Sequence, residues 1–113
     1  MKKLLLIIAF AITTVLLTQC RSTKAVTAPK KLSYAADIQP IMADKCTPCH
    51  FPDKGGKIEA LNTYVSVKDH IDDIIRRIQL NPGEKGYMPF KKPKLSDSTI
   101  NVFKQWKADG LAE

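Results

Sequence analysis

The sequence predicts an all-α domain, and three observations lead to this fold class. One twelve-residue stretch carries isoleucines at helical spacing, and a later stretch has a serine cap followed by an apolar stripe. No stretch alternates polar and apolar residues for long enough to indicate a pair of strands. A chain of 113 residues suffices for one domain. We therefore expect about four helices joined by loops.

The first predicted helix lies in the stretch DIQPIMADKC. Asp37 is positioned to cap it, and Pro40 falls in the first turn, where the missing N–H of proline costs little. Its apolar face contains Ile38, Ile41 and Met42. The segment 62–67 is either a further short helix or an extended piece, because its β-branched residues also suit extended backbone.

The strongest helical pattern is DHIDDIIRRIQL. The apolar stripe of this helix, at i, i+3, i+4 and i+7, contains Ile71, Ile74, Ile75 and Ile78. On the opposite face, Asp72 is expected to pair with Arg76, and Asp73 with Arg77. The NPG that follows Leu80 ends the helix.

The last predicted helix follows the sequence LSDS. Ser96 is its N-cap, Asp97 lies in the positive first turn, and Gly110 stops it. Its apolar stripe contains Ile100, Phe103 and Trp106.

The first nineteen residues have the layout of a secretory signal. Lys2 and Lys3 precede an apolar run from Leu4 to Leu17, which is shorter than the ~20 residues that a spanning helix needs. An uncleaved N-terminal anchor is the alternative interpretation.

The signal-like segment ends in LLTQC, which resembles a bacterial lipobox. The resemblance implies that Cys20 becomes the first mature residue and carries lipid, although Gln19 stands where the pattern usually has a smaller residue. A chance cysteine after a signal cleaved by another peptidase is the alternative. We divide the chain into a lipoprotein signal peptide (1–19), a lipidated N-terminus with a flexible linker (20–33) and a domain (34–113). The expected location is the periplasmic or outer side of a membrane.

The charge of the chain is moderately basic. Removal of residues 1–19 takes away two lysines and no acid, so the formal charge falls from +7 to +5. Such an excess suits acidic partners or anionic headgroups. The sequence has neither the arginine-rich run nor the interleaved aromatic residues that would favour nucleic acid.

Two of the cysteines lie in the stretch CTPCH. The chain has three cysteines, and lipid on Cys20 would leave Cys46 and Cys49 as the remaining pair. A structural zinc needs about four ligands, but the motif offers three and His70 is the single further histidine. A redox dithiol is expected in a βαβ pattern, and a disulfide across two residues would be strained.

The spacing C-x-x-C-H indicates covalent attachment of haem c. Two thiols separated by two residues at the end of a helix can form thioethers with the two vinyl groups of one haem. The next residue, His50, then supplies an axial nitrogen to the iron.

The second axial ligand has three candidates in the domain. Met42 lies on the same helix as Cys46 and is expected to pack in the core. Met88 lies in the loop GEKGYMPF, which can cross the opposite face of the haem, and a thioether ligand suits electron transfer. His70 borders the isoleucine stripe and remains an alternative.

The order of these parts resembles a class I (mitochondrial-type) cytochrome c domain, in particular the small single-haem lipoprotein cytochromes of bacteria. The similarity covers about residues 34–113 and rests on a short helix, CTPCH, the loop at Gly55–Gly56, an amphipathic helix, YMPF and a final helix with Trp106. It implies thioethers at Cys46 and Cys49. It also implies His50 and Met88 as axial ligands.

The resemblance further implies that the first and last helices cross and pack. Phe103 and Trp106 are candidates for this contact. The family often has a glycine in the first helix at the crossing, and Ala43 is the residue expected to replace it here.

We expect a membrane-tethered electron carrier rather than an enzyme. A peroxidase would need a distal acid–base pair, and none is evident in the sequence. Expected partners are a membrane oxidase, a quinol-oxidising complex or a periplasmic dehydrogenase. The alternative function is a haem-based gas sensor or ligand-binding module with an open sixth position. A positive rim for docking would consist of Lys85, Lys91, Lys92 and Lys94. These lysines otherwise belong to a solvated loop.

Overall fold

The computed structural model describes residues 30–113. The predicted signal peptide, the lipidation site at Cys20 and the linker up to residue 29 lie outside the described residues. Between residues 30 and 113, no helix combines the length and the apolar character needed to cross a membrane.

The described part of the chain is helical and contains no strand, which confirms the all-α prediction. Its α-helices are α1 (Gln39–Lys45), α2 (Tyr64–Asp69), α3 (Ile71–Gln79) and α4 (Asp97–Ala108). A π-helical turn, Tyr34–Ile38, leads directly into α1, and a 3-10 turn, Pro52–Lys54, lies between α1 and α2.

The first helical segment begins earlier than the sequence predicts. Ser33 is the N-cap, and its side chain accepts a hydrogen bond from the Ala36 N–H at 3.3 Å. The Asp37 carboxylate accepts a bond from the Ser33 N–H at 2.8 Å. The prediction that Asp37 is the N-cap is therefore wrong, because Asp37 completes a reciprocal cap from inside the helix.

The segment 62–67 resolves into the start of α2. Thr63 caps this helix through a capping box in which its side chain accepts the Ser66 N–H at 3.2 Å. The Ser66 hydroxyl in turn accepts the Thr63 N–H at 3.3 Å. This reciprocal pair favours the helix over the extended alternative.

The apolar stripes of α3 and α4 face a shared core, as predicted. Three of the four isoleucines of α3 are buried, Ile75 is partly buried, and the α4 stripe is buried throughout. Ser96 caps α4 by accepting the Thr99 N–H at 3.2 Å. The two helices contact each other along these stripes.

The ion pairs of α3 differ from the predicted set. Asp73 pairs with both Arg76 and Arg77, whereas Asp72 pairs with Lys107 on α4. The predicted Asp72–Arg76 pair is therefore wrong, because α4 packs beside α3 and brings a lysine closer. Both arrangements lie at the exposed surface, where a pair typically contributes up to ~1 kcal/mol.

The first and last helical segments pack through an aromatic cluster. The ring centroids of Tyr34 and Trp106 are 6.0 Å apart, and Tyr64 lies 5.7 Å from Tyr34 and 6.4 Å from Trp106. Ala43 is exposed and takes no part in this contact, so its expected role at the crossing is wrong. The contact with α4 is made chiefly by the π-helical turn.

The C-terminal residues tie this cluster together. The carbonyl oxygen of Ala112 accepts hydrogen bonds from the Tyr34 N–H at 2.8 Å and from Trp106 Nε1 at 2.7 Å. The Tyr64 hydroxyl donates to the Leu111 carbonyl at 2.8 Å. The Tyr34 backbone N–H, the Trp106 indole N–H and the Tyr64 hydroxyl are thereby satisfied by backbone carbonyls of residues 111 and 112.

Trp106→Phe is expected to lower the free energy of unfolding by about 2 kcal/mol, because it removes the bond to Ala112 and leaves part of a fully buried volume empty. Urea unfolding followed by circular dichroism measures this change. The exposed substitution Lys104→Ala should shift stability by less than about 0.5 kcal/mol. Equal effects of the two substitutions would contradict the role given to Trp106.

The Asp109 carboxylate makes the stability of the folded domain depend on pH in the acidic range. Its carboxylate accepts the Leu32 N–H at 2.9 Å and the Gln105 side-chain amide at 2.7 Å. The hydrogen bond from Leu32, followed by that from Gln105, lowers the pKa of Asp109 below its ordinary value of 3.8. A lowered folded-state pKa contributes stability that is present above the ordinary value and is lost as the pH falls through the folded-state pKa.

Asp109→Asn should therefore flatten the loss of stability below about pH 4. Thermal unfolding measured from pH 2 to pH 7 tests this, with Asp53→Asn in the exposed 3-10 turn as the matched control. If the Asp109→Asn variant lost stability with falling pH as wild type does, the contact with Leu32 would not be the cause of the pH dependence.

Candidate haem-binding site

One cavity of about 590 Å³ brings together the four residues that the sequence marks as haem ligands. Its lining includes Cys46, Cys49 and His50 from the CTPCH turn (residues 46–50), and Met88 from the segment between α3 and α4. Met88 follows His50 by 38 positions, so the fold, not the local sequence, unites them. The volume falls in the range of ~300–1,000 Å³ that is usual for ligand and cofactor sites.

The cavity has apolar walls and a charged rim. Met42 from α1, Leu61 from the intervening loop, and Ile74 and Ile78 from α3 contribute buried side chains to its lining. Charged residues that also border it are Lys45, Lys57, Glu59, Asp73, Arg77 and Lys92. Such a cavity suits a large apolar group that carries polar substituents at one edge.

The two thiols stand at different depths where α1 ends. Cys46 is the C-cap of α1, where its N–H donates to the Met42 carbonyl at 2.9 Å. Its sulfur lies 3.7 Å from the Met42 sulfur, whereas Cys49 is exposed, and both side chains are free thiols. Burial raises the pKa of the Cys46 thiol to about 11, against the opposing charge of Lys92. Cys46 is therefore a neutral thiol at neutral pH.

The His50 ring is oriented by the backbone of Glu59. The distance from His50 Nδ1 to the Glu59 carbonyl oxygen is 2.7 Å. A carbonyl oxygen can only accept, so Nδ1 carries the hydrogen, and in the neutral ring Nε2 keeps its lone pair. The backbone is held as well, because the Leu61 N–H donates to the His50 carbonyl at 2.9 Å. This is the arrangement that a metal-ligating histidine requires.

Gly56 allows the following loop to pack against the CTPCH turn. A Cβ at this position would lie 2.4 Å from the Cys49 carbonyl oxygen and 2.5 Å from that of Pro48. The Gly56 N–H donates to the Phe51 carbonyl at 2.9 Å, which closes the loop behind His50. A side chain is excluded here by contact with backbone atoms, not by the backbone dihedral angle.

Met88 reaches the cavity from a loop that is bound to α3. Its N–H donates to the Arg77 carbonyl at 3.3 Å, and its side chain packs partly buried against the core. The neighbouring residues Tyr87 and Pro89 are buried, whereas Phe90 is 65% exposed at the rim. Met88 is thereby placed within the same cavity as His50.

The other two ligand candidates are also located. Met42 is fully buried beneath Cys46, in agreement with the expected packing role. His70 borders the cavity, with Nδ1 2.9 Å from the Ser66 carbonyl oxygen and Nε2 3.8 Å from a carboxylate oxygen of Glu59. His70 thus remains the alternative that the sequence left open.

The four lysines proposed for docking have different surroundings. Lys85 is exposed, and Lys91 places its Nζ 5.2 Å from the centroid of the Phe90 ring. Lys94 donates to the Asn81 side chain at 2.9 Å. Lys92 donates to the Thr47 carbonyl within the CTPCH turn at 3.0 Å and to the Lys45 carbonyl just before it at 3.3 Å. The docking role of the group stays a prediction.

Sequence reasoning missed the groups that support the ligands. The Glu59 carbonyl, the Arg77 carbonyl and the contacts of Lys92 involve backbone atoms, which leave no side-chain pattern in the sequence. The sequence indicates that Gly56 lies in a loop, but its close approach to two carbonyls depends on the three-dimensional path of the chain. In the range 30–113, no cluster of three or more His, Cys, Asp and Glu side chains is arranged to hold a metal ion.

Comparison with known proteins shows one distant similarity of interest. The chain is 32% identical over 77 residues to the FixP subunit of the Cbb3-type cytochrome c oxidase of Rhizobium etli. This alignment covers 65% of this chain and 26% of FixP. The chain therefore spans about a quarter of the length of that relative. No family model matches the chain, and no solved structure matches it.

Gly56→Ala is expected to lower the free energy of unfolding by about 1–3 kcal/mol and to reduce the yield of covalently bound haem, because the added methyl collides with two carbonyls of the CTPCH turn. Gly55→Ala is the matched control. At Gly55 a methyl meets nothing within 4 Å, and the cost is limited to about 1 kcal/mol from the positive φ of 84°.

Urea unfolding and the ratio of haem to protein in purified material measure both effects. A Gly56→Ala variant with the haem yield of Gly55→Ala would contradict the proposed fit between the loop and the turn.

Proposed function

We propose that this chain is a single-haem c-type cytochrome that carries one electron at a time between redox partners and is not an enzyme. The observation that carries the proposal is the convergence of CTPCH and Met88 on one largely apolar cavity. The distant similarity to an oxidase subunit supports a cytochrome c domain. The donor set also fits the group, since it combines two free thiols, an oriented imidazole and a thioether.

In this proposal Cys46 and Cys49 form the thioether bonds. His50 Nε2 and the Met88 sulfur would bind the iron. Bound in this way, haem c supplies an iron that alternates between the ferric and ferrous states. The difference in burial of the two thiols, with Cys46 partly buried over Met42 and Cys49 exposed, gives one inner and one outer attachment point.

The chain's own residues set the environment for electron transfer. The buried walls of the cavity limit access of water, and the Glu59 carbonyl holds the His50 ring in one tautomer. A histidine–methionine ligand pair and an apolar surround both raise the reduction potential. These features favour a carrier of relatively high potential.

The proposed setting is the outer side of a membrane, with lipid on Cys20 as the anchor. A flexible arm would confine the domain near membrane complexes and raise its effective concentration there. Because the relative is a subunit of an oxidase, a membrane oxidase is the first partner to test, before a quinol-oxidising complex or a periplasmic dehydrogenase. Docking would use the exposed lysines beside Met88.

The decisive experiment is the production of the full chain in a host that matures c-type cytochromes, followed by optical spectra in both redox states with and without CO. We expect haem that survives denaturation, a methionine–ferric charge-transfer band, and no rapid CO binding by the reduced protein. Covalent haem with prompt CO binding would instead favour the gas sensor. Absence of covalent haem would overturn the cytochrome assignment.

Met88→Ala should abolish the methionine–ferric band and allow prompt CO binding, because the sixth ligand is removed. Met42→Leu is the control, since Met42 borders the same cavity but is assigned to packing. It should keep the band and the slow reaction with CO. A methionine–ferric band that survives in Met88→Ala would transfer the ligand role to Met42, the other methionine of the cavity. Loss of the band without prompt CO binding would instead make His70→Ala the next variant to record.

A further inference from the structure

Lys92 connects two segments that contribute haem ligands. It lies four positions after Met88, and its Nζ donates hydrogen bonds to the Thr47 carbonyl at 3.0 Å and to the Lys45 carbonyl at 3.3 Å. These two contacts are termed the Lys92 bridge. They join the Met88 loop (residues 80–96) to the end of α1 and to the CTPCH turn, which are 47 and 45 positions away in sequence, respectively.

The position of the Lys92 ammonium is coupled to the position of Met88. The buried Tyr87 donates its hydroxyl hydrogen to the Lys92 carbonyl at 2.9 Å, and the Lys92 N–H donates to the Pro89 carbonyl at 3.1 Å. These bonds close the stretch 87–92 into a compact unit around Met88. Movement of that stretch away from the cavity would therefore break the Lys92 bridge.

The two acceptors are well suited to a cation. Lys45 is the last residue of α1, where unpaired carbonyls and the helix dipole favour positive charge. Among the backbone hydrogen bonds of the described turns and loops, none ends on the Lys45 or Thr47 carbonyl. The ammonium thus satisfies oxygens that the end of the helix leaves available.

The Met88 loop is also held by α3. The Met88 N–H donates to the Arg77 carbonyl at 3.3 Å. The loop is therefore attached to α3 through its backbone and to the CTPCH turn through one side chain. The Lys92 side chain makes the attachment that lies next to the haem-binding cysteines.

We propose that Lys92 is a positioning residue, which holds the Met88 sulfur over the site through the Lys92 bridge. This inference rests on the proposed haem function and removes Lys92 from the group of docking lysines. Lys91, the adjacent residue, contacts the Phe90 ring and not the CTPCH turn. It is therefore the matched control for charge.

The test uses the full chain with haem attached and compares wild type, Lys92→Ala, Lys92→Arg and Lys91→Ala. The readouts are the methionine–ferric charge-transfer band, the alkaline pH at which that band disappears, and the rate of CO binding to the reduced protein. Loss of two charge-assisted hydrogen bonds should accelerate CO binding of Lys92→Ala by roughly tenfold and lower the pH at which the band is lost. Lys92→Arg should restore both properties, and Lys91→Ala should resemble wild type.

Lys92→Gln provides a second variant that retains a donor without the charge, and it should fall between wild type and Lys92→Ala. This variant takes the place of Lys92→Ala in the comparison if Lys92→Ala accumulates too little haem protein to measure. If Lys92→Ala and Lys92→Gln both gave the spectra of wild type and of Lys91→Ala, the proposed role of the Lys92 bridge would be overturned. The cytochrome assignment would remain intact. A wild-type protein without covalent haem would instead overturn the proposed function itself.

Discussion

The hydrogen bond between His50 and the Glu59 carbonyl is the contact on which the arrangement of the site depends. At 2.7 Å it determines which ring nitrogen carries the hydrogen and leaves Nε2 available as a ligand. This bond forms only if the loop after the CTPCH turn folds back on it. Gly56 permits that return because the space for a side chain is taken by the carbonyls of Pro48 and Cys49.

The same residues form the core and the site, so stability and haem binding are linked. Met42, Ile74 and Ile78 are buried core residues that also line the cavity. A domain of about 80 residues has little apolar surface to bury, and a large apolar cofactor would add to it. A group that binds the folded state alone also shifts the folding equilibrium in favour of that state. Haem attachment and folding are therefore expected to support each other.

The parts predicted from the sequence are those with a local physical signal. The stripes of α3 and α4 follow from helical periodicity, and the Ser96 cap from its side chain. The start of the first helical segment differs from the prediction. Ser33 caps it, and the adjacent Tyr34 N–H is bound by the Ala112 carbonyl, a contact between distant residues that leaves no local pattern in the sequence. The partner of Asp72 is likewise set by the packing of α3 on α4.

The central claim is that CTPCH attaches one haem through both cysteines. Mass spectrometry of the denatured full chain, with and without prior treatment by a thiol-alkylating reagent, tests this claim most directly. The account predicts a mass increase of one haem, with Cys46 and Cys49 both unreactive toward the reagent. A protein without added haem, in which both thiols are alkylated, would contradict it.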